Sequence, residues 1–229
     1  MLPRATRYLV HPVLSDVIGR LNPGYLERID RVDIVGYGRA WRGTAGGDRA
    51  VTTRTLCVLT GDVQGFGGLM RAGVDAGVRQ ALEDALRKWA RETIAAELGA
   101  GDTVSVVHDD PVVLAQVARH LMDEVYRAPG QPRLRIALHY GEVQTRRHAI
   151  DGTNAIAGGE ALLCAARVEP HVEPGRIWVT EEFRAQLAER PSLWHTTPVM
   201  GPDGAAEINV KKDGGTEPDL WVRLHRLEF

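Results

Sequence analysis

Several common signposts of function are missing from this chain of 229 residues. It has only two cysteines, Cys57 and Cys164, and both lie in apolar patterns that read as buried, reduced thiols. No apolar run approaches the roughly 20 residues needed to cross a bilayer. Arg4 and Arg7 stand near the N-terminus without an apolar leader core, so secretion is not expected and a cytoplasmic location is. A net charge of −2 gives no general attraction to nucleic acid or to an anionic membrane, so any anion site must be local. There is no internal repeat and no low-complexity tract. No His/Cys cluster has zinc spacing, and nothing marks a Ser-His-Asp triad.

What is present is an ordinary globular composition, 44% apolar and 25% charged, in a chain long enough to bury a real core. Residues 1–52 differ in texture and read as an N-terminal extension. Val13, Leu14, Val17, Ile18 and Leu21 recur there at helical spacing before Asn22-Pro23-Gly24 breaks the chain. Residues 53–229 read as one domain.

The most informative stretch is Leu59-Thr60-Gly61-Asp62-Val63-Gln64-Gly65-Phe66-Gly67-Gly68. The run Thr55–Leu59 before it has the pattern of a strand covered on both faces. It ends in a lone carboxylate, Asp62, followed by a glycine-rich turn and a helical pattern. A carboxylate at a strand end suits a divalent cation, which takes hard oxygen ligands. Backbone N–H groups at a turn or helix start suit phosphate. Capping of the next helix is the competing reading for Asp62.

Beyond it, Leu69, Met70, Val74, Val78, Leu82, Leu86 and Trp89 predict one long amphipathic helix. Thr93–Leu98 and Thr103–Val107 predict a hairpin whose glycine turn carries a second carboxylate, Asp102. A helix with Leu114, Val117, Leu121 and Val125 inward follows. Arg133–His139 alternates as a strand and leads through Tyr140–Val143 into a polar loop with Arg146, Arg147 and His148. Gly158-Gly159 opens a third helix. Arg176–Thr180 is a strand, Glu181–Leu187 a short helix, and two strand patterns near 206–210 and 220–224 close the chain around Lys211 and Lys212. This order predicts an α+β fold with a ferredoxin-like βαββαβ core: a mostly antiparallel central sheet with flanking helices.

Four of these segments together resemble the catalytic domain of class III nucleotidyl cyclases, the adenylate and guanylate cyclase family. Thr60–Phe66 is similar to its first metal motif, and Gly101-Asp102 in a hairpin to its second. Leu134–Val143 is similar to the strand and turn that follow. Ala165-Ala166-Arg167-Val168-Glu169 with Pro174–Thr180 resembles the helix carrying a transition-state arginine and the strand behind it. The resemblance spans roughly residues 53–225. It implies that Asp62 and Asp102 hold two Mg²⁺ or Mn²⁺ ions and that Val63, Gln64, Gly65, Phe66 and Gly67 cradle the phosphates of a nucleoside triphosphate. Arg167 meets charge developing on the α-phosphate. A cation from Lys211, Lys212, Arg146 or Arg147 is expected on the terminal phosphates. The resemblance also implies a homodimer whose two sites are each shared across the interface. No nucleic acid or membrane partner is implied.

Departures from the family pattern are equally specific. Leu98, counted back from Gly101-Asp102, stands where one base-reading residue is expected, and Ile156, counted back from Arg167, stands at the other. Leu163 replaces the usual transition-state asparagine. Two apolar base readers imply an altered substrate. In this the chain resembles the pyrimidine (uridylate and cytidylate) cyclases of the Pycsar antiphage system, whose cyclic UMP or cyclic CMP is read by a separate effector protein. Arg54 and Glu97 are further candidates for contact with the base. An adenylate cyclase with a divergent pocket and a catalytically inactive nucleotide-binding or dimerisation module are the alternative readings.

Overall fold

Strand β1, Thr52–Val63, runs through the middle of the main sheet and is buried from Leu56 to Gly61. The computed structural model describes residues 51–99, 101–147, 153–190, 194–201, 204–210 and 220–228. The extension 1–52, apart from its last two residues, lies outside the described residues, as do His148, Lys211 and Lys212.

From β1 the chain enters α1 (Phe66–Arg71) and α2 (Asp75–Trp89). The helix predicted as continuous from Leu69 to Trp89 is therefore two, because Gly73 at φ 72° takes a left-handed conformation that ends the first. The hairpin β2 (Ala95–Leu98) and β3 (Val104–His108) follows, then α3 (Pro111–Arg127). Asp110 caps α3, its Oδ1 accepting the N–H of Val112 at 2.8 Å, with Pro111 in the first turn. Next come β4 (Leu134–Arg147), β5 (Asn154–Gly158), α4 (Glu160–Val168) and a 3₁₀ turn, Glu169–His171. The chain closes with β6 (Ile177–Thr180), α5 (Glu181–Ala188), β7 (His195–Val199), β8 (Ile208–Asn209), β9 (Trp221–Val222) and β10 (Leu224–Glu228).

The main sheet has the order β2-β3-β1-β4-β6-β10-β7, with β5 paired to the far half of β4. Its first four strands, β2-β3-β1-β4, are the predicted βαββαβ core. Only β4 and β6 pair in parallel; the rest is antiparallel. Strands β8 and β9 form a separate pair. The sequence reading missed β5 and β7, and it placed Arg146 and Arg147 in a loop. Both arginines instead end β4, opposite Ala155 and Asn154.

The alternation of side chains along each strand divides the core in two. Cys57, Leu59, Val63, Val104, Val106, Ile136 and Leu138 pack under α2, α3 and α5. Leu56, Val58, Val107 and Val143 pack on the opposite face, under α4 through Ala161 and Ala165. Everything chemically interesting lies on this second face or at its edge. Both cysteines are buried and unpaired, as expected.

Gly159 shows why the sequence places glycine just before α4. Its φ is 126°, and a Cβ there would lie 2.5 Å from the Glu142 carbonyl oxygen and 2.8 Å from Val143 Cα. Gly159→Ala should destabilise the domain by about 2–4 kcal/mol. The check is urea unfolding, where the midpoint should fall with little change in slope.

Candidate active site

The end of β1 and the tip of the β2–β3 hairpin meet. Asp102 Oδ2 accepts the backbone N–H of Val63 at 3.1 Å, which fixes the hairpin carboxylate beside Asp62. The two predicted metal carboxylates are therefore neighbours, joined through backbone. The Asp102 carboxyl is pushed up to about 6, first by burial and then by the Asp62 charge and a hydrogen bond to Asp62.

Two residues that sequence reasoning missed complete the cluster. Arg135 is the cross-strand partner of Asp62 in the β1–β4 pairing. Its Nη2 donates to Asp62 Oδ2 at 2.8 Å. Its Nε lies 3.0 Å from Glu169 Oε1, an ion pair whose angle is poor for a hydrogen bond, since both atoms are buried without one. Burial pushes the Glu169 carboxyl up to about 7; Arg135 opposes this while Asp62 and Asp102 add to it. Glu169 lies just after α4, in a stretch already conspicuous for Arg167. The only available signal for Arg135 was its alternation on β4, which is not enough without the register.

The turn after β1 is partly committed to the fold. The Val63 side chain is buried in the core and its N–H is taken by Asp102. The Gln64 N–H donates to the Arg133 carbonyl at 2.9 Å. Of the five predicted phosphate-cradling residues, Val63 and Gln64 thus have no spare N–H. Gly65, Phe66 and Gly67 have no acceptor for theirs among the described residues. Gly65, at φ 72°, starts α1, and the Phe66 ring reaches within 4.0 Å of where a Cβ on Gly101 would stand.

The expected base-reading pair is corrected by strand parity. Leu98 is opposite Val104 and packs with the α2–α3 core, on the far face of the sheet from Asp62. Glu97, one residue earlier, points to the near face, and its Oε1 accepts the Ile156 N–H at 2.7 Å. Ile156 packs with the α4-side core. Glu97, Ser105 and Thr60 stand in one cross-strand row. The row lies two residues along from Asp62, so the Glu97 and Asp62 Cα atoms are roughly 12 Å apart. Arg54 is on β1 but eight residues from Asp62, about 26 Å along the strand, and does not belong to this group.

Arg167 sits half-buried in the last turn of α4, a position favourable for a cation. Its charge works against the burial that raises the nearby Cys164 thiol. Leu163, on the same helix, is 49% exposed, so it is no core substitute for a polar residue. Arg146 and Arg147 are exposed.

The donor set fits a hard divalent cation. Two carboxylates converge while their mutual repulsion is incompletely offset, and both are oxygen donors. Among the described residues no three His, Cys, Asp or Glu side chains close into a complete cage. The arrangement suits an ion held by one or two carboxylates, with water and phosphate as its other ligands. Among the described residues no helix is long and apolar enough to cross a membrane.

Raised carboxyls have a thermodynamic signature. Between about pH 4.5 and 7 the folded chain holds more protons on Asp102 and Glu169 than the unfolded chain does, so stability should fall as pH rises through that window. Both groups keep some contact with water, so the effect is discounted to on the order of 1 kcal/mol. That corresponds to about 2–4 °C in Tm for a domain of this size. Metal-free and nucleotide-free protein should melt higher at pH 5.5 than at pH 7.5. The difference should shrink in the Asp102→Asn, Glu169→Gln double variant relative to the parent.

No family model matches the chain, and no curated protein matches it in sequence. Solved structures do match. The adenylyl cyclase CyaB from P. aeruginosa superposes with a TM-score of 0.59 at 14% identity, covering 79% of this chain and 96% of that one. The guanylate cyclase domain of RhGC from Catenaria anguillulae, in complex with GTP, gives 0.58 at 13% identity, with 77% and 98% covered. An adenylate cyclase from Trypanosoma brucei, in its monomeric state, gives 0.56 at 15% identity, with 76% and 87% covered. A mixed sheet of this order, flanked by these helices, is the fold of the class III adenylyl and guanylyl cyclase catalytic domain.

Proposed function

We propose that the chain is a nucleotidyl cyclase that converts a nucleoside triphosphate to its 3′,5′-cyclic monophosphate and pyrophosphate. The observation that carries this reading is the meeting of Asp62 and Asp102 beside a turn with free N–H groups, on the cyclase fold. Asp62 and Asp102 would hold two Mg²⁺ or Mn²⁺ ions, which when bound favour ionisation of the ribose 3′-hydroxyl and neutralise the triphosphate. The N–H groups of Gly65, Phe66 and Gly67 meet phosphate oxygens. The 3′-oxygen attacks the α-phosphorus as the bond to pyrophosphate breaks, and Arg167 from a second copy of the chain meets the charge that develops. A cation from Lys211, Lys212, Arg146 or Arg147 would meet the terminal phosphates.

The base is assigned to the exposed surface beside Glu97 and Ile156, two residues that are hydrogen-bonded to each other. One Glu97 oxygen is occupied by the Ile156 N–H, which leaves the other as the better acceptor. That suits a base edge offering one donor at this point, the N3–H of uracil or the N4 amino group of cytosine, more than the paired N1–H and N2–H donors of guanine. The adenine N6 amino group also offers a single donor, so this acceptor weighs against GTP alone. The reading of the substrate as UTP or CTP, with the product a second messenger for a separate effector, rests on the resemblance of the sequence to the antiphage pyrimidine cyclases. The solved neighbours include a guanylate cyclase domain bound to GTP and a converted-specificity core bound to ATPαS, so both purines belong in the test.

Incubation with equal concentrations of the four nucleoside triphosphates and Mn²⁺, with mass spectrometry of products, tests the reading. Cyclic UMP or cyclic CMP should exceed the purine products at least about tenfold, a discrimination of about 1.4 kcal/mol. Cyclic AMP as main product would overturn the base assignment, and no cyclic product at all would overturn the activity. Asp62→Asn and Asp102→Asn should each abolish turnover without unfolding the domain. Arg167→Ala should cost on the order of 10²–10³-fold in rate. Mixing inactive Asp62→Asn with Arg167→Ala should restore activity through a heterodimer with one intact site. Subunit exchange without recovery would sink the shared-site arrangement.

A further inference from the structure

Asp62 already has a cation. Arg135 faces it directly across the β1–β4 pairing, and the guanidinium is held at three points. Its Nη2 reaches Asp62 Oδ2 at 2.8 Å, its Nε lies 3.0 Å from Glu169 Oε1, and its Nη1 approaches the Pro170 carbonyl oxygen at 3.4 Å. The three charged side chains are 22% (Arg135), 27% (Asp62) and 14% (Glu169) exposed. This is no frayed surface pair. Glu169 and Pro170 lie in the turn after α4, so the guanidinium is braced from a different element than the one bearing Asp62.

A divalent ion entering the Asp62–Asp102 pair therefore meets a fixed positive charge hydrogen-bonded to one of its ligand oxygens. Like charges at such separation in a half-buried site oppose each other far more than at the surface. A triphosphate changes that balance by bringing several negative charges to the same place. Guanidinium groups also bind phosphate oxygens as readily as carboxylates.

We propose that Arg135 is a resident counter-cation that holds the two-aspartate site at low affinity for free divalent ions, so that metal is captured together with the triphosphate. The proposal rests on the reading of Asp62 and Asp102 as the metal carboxylates. Arg135 acts here through Asp62, as a positioning residue. Its loss should strengthen metal binding in the absence of nucleotide, whereas loss of a merely structural ion pair would weaken it.

The test uses the full chain without nucleotide, titrated with Mn²⁺, with free Mn²⁺ read from its electron paramagnetic resonance signal. Arg135→Gln should bind Mn²⁺ about tenfold more tightly than the parent chain. Arg135→Lys, which keeps the charge, should stay near the parent affinity. Near-UV circular dichroism establishes that each variant is folded, and Arg135→Met, of similar length and no charge, replaces the glutamine variant should that one unfold. Unchanged or weaker Mn²⁺ binding in a folded neutral variant would overturn the proposal. Mn²⁺ binding that survives Asp62→Asn with Asp102→Asn would instead overturn the aspartate site on which it rests.

Discussion

The long antiparallel pairing of β1 with β4 is the constraint on which the rest of this domain depends. Twelve successive pairs run from Thr52 opposite Thr145 to Val63 opposite Leu134. Because side chains alternate, a slip of one residue would send Asp62 to the α2–α3 face and Leu59 to the other. Burial of Leu56, Val58 and Leu59 on their proper faces resists that slip. Gly61 allows the close packing beside it, since a Cβ there would lie 3.0 Å from Val104 Cγ1 and 3.2 Å from the Arg135 carbonyl oxygen. Core packing at one point of the strand thus sets the position of a charge at the next.

This explains which parts of the molecule were legible from sequence. The buried stretch inside β1, the second strand of the hairpin and β6 are short apolar runs bounded by turn residues, so local pattern sufficed there. The exposed start of β1, Thr52–Thr55, has no apolar pattern to extend the strand. Strand β5, Asn-Ala-Ile-Ala-Gly, is half exposed and has no alternation to read. It exists because β4 extends far enough to pair with it. The break between α1 and α2 depends on a single glycine at positive φ, which helical periodicity ignores.

At the site the division is the same. Asp62 and Asp102 were visible because each is a lone carboxylate at a chain reversal. Arg135 and Glu169 were not, because their roles come from contacts across 73 residues of sequence and across two elements. The misplacement of Leu98 is the most instructive case. Counting residues from the hairpin turn gives a position, but only strand parity says which face that position serves. Leu98 supplies core, and its neighbour Glu97 supplies the carboxylate that meets Ile156.

A structural ion-pair cluster would be expected to balance its charges. This one does not: Arg135 pairs with Asp62 and Glu169, and no ion pair reaches Asp102 among the described residues. The Asp102 and Glu169 carboxyls are pushed up to about 6 and 7. Folding does not remove this imbalance, because each group is fixed by something else. Asp102 is held by a backbone N–H of β1, Asp62 by strand register, and Glu169 by the turn after α4. The deficit of positive charge is therefore built into the fold, next to N–H groups that can take an anion. Cation and polyphosphate are complementary to the two halves of such a site, and neither satisfies both alone. A ligand that brings the two together is the one the electrostatics favour.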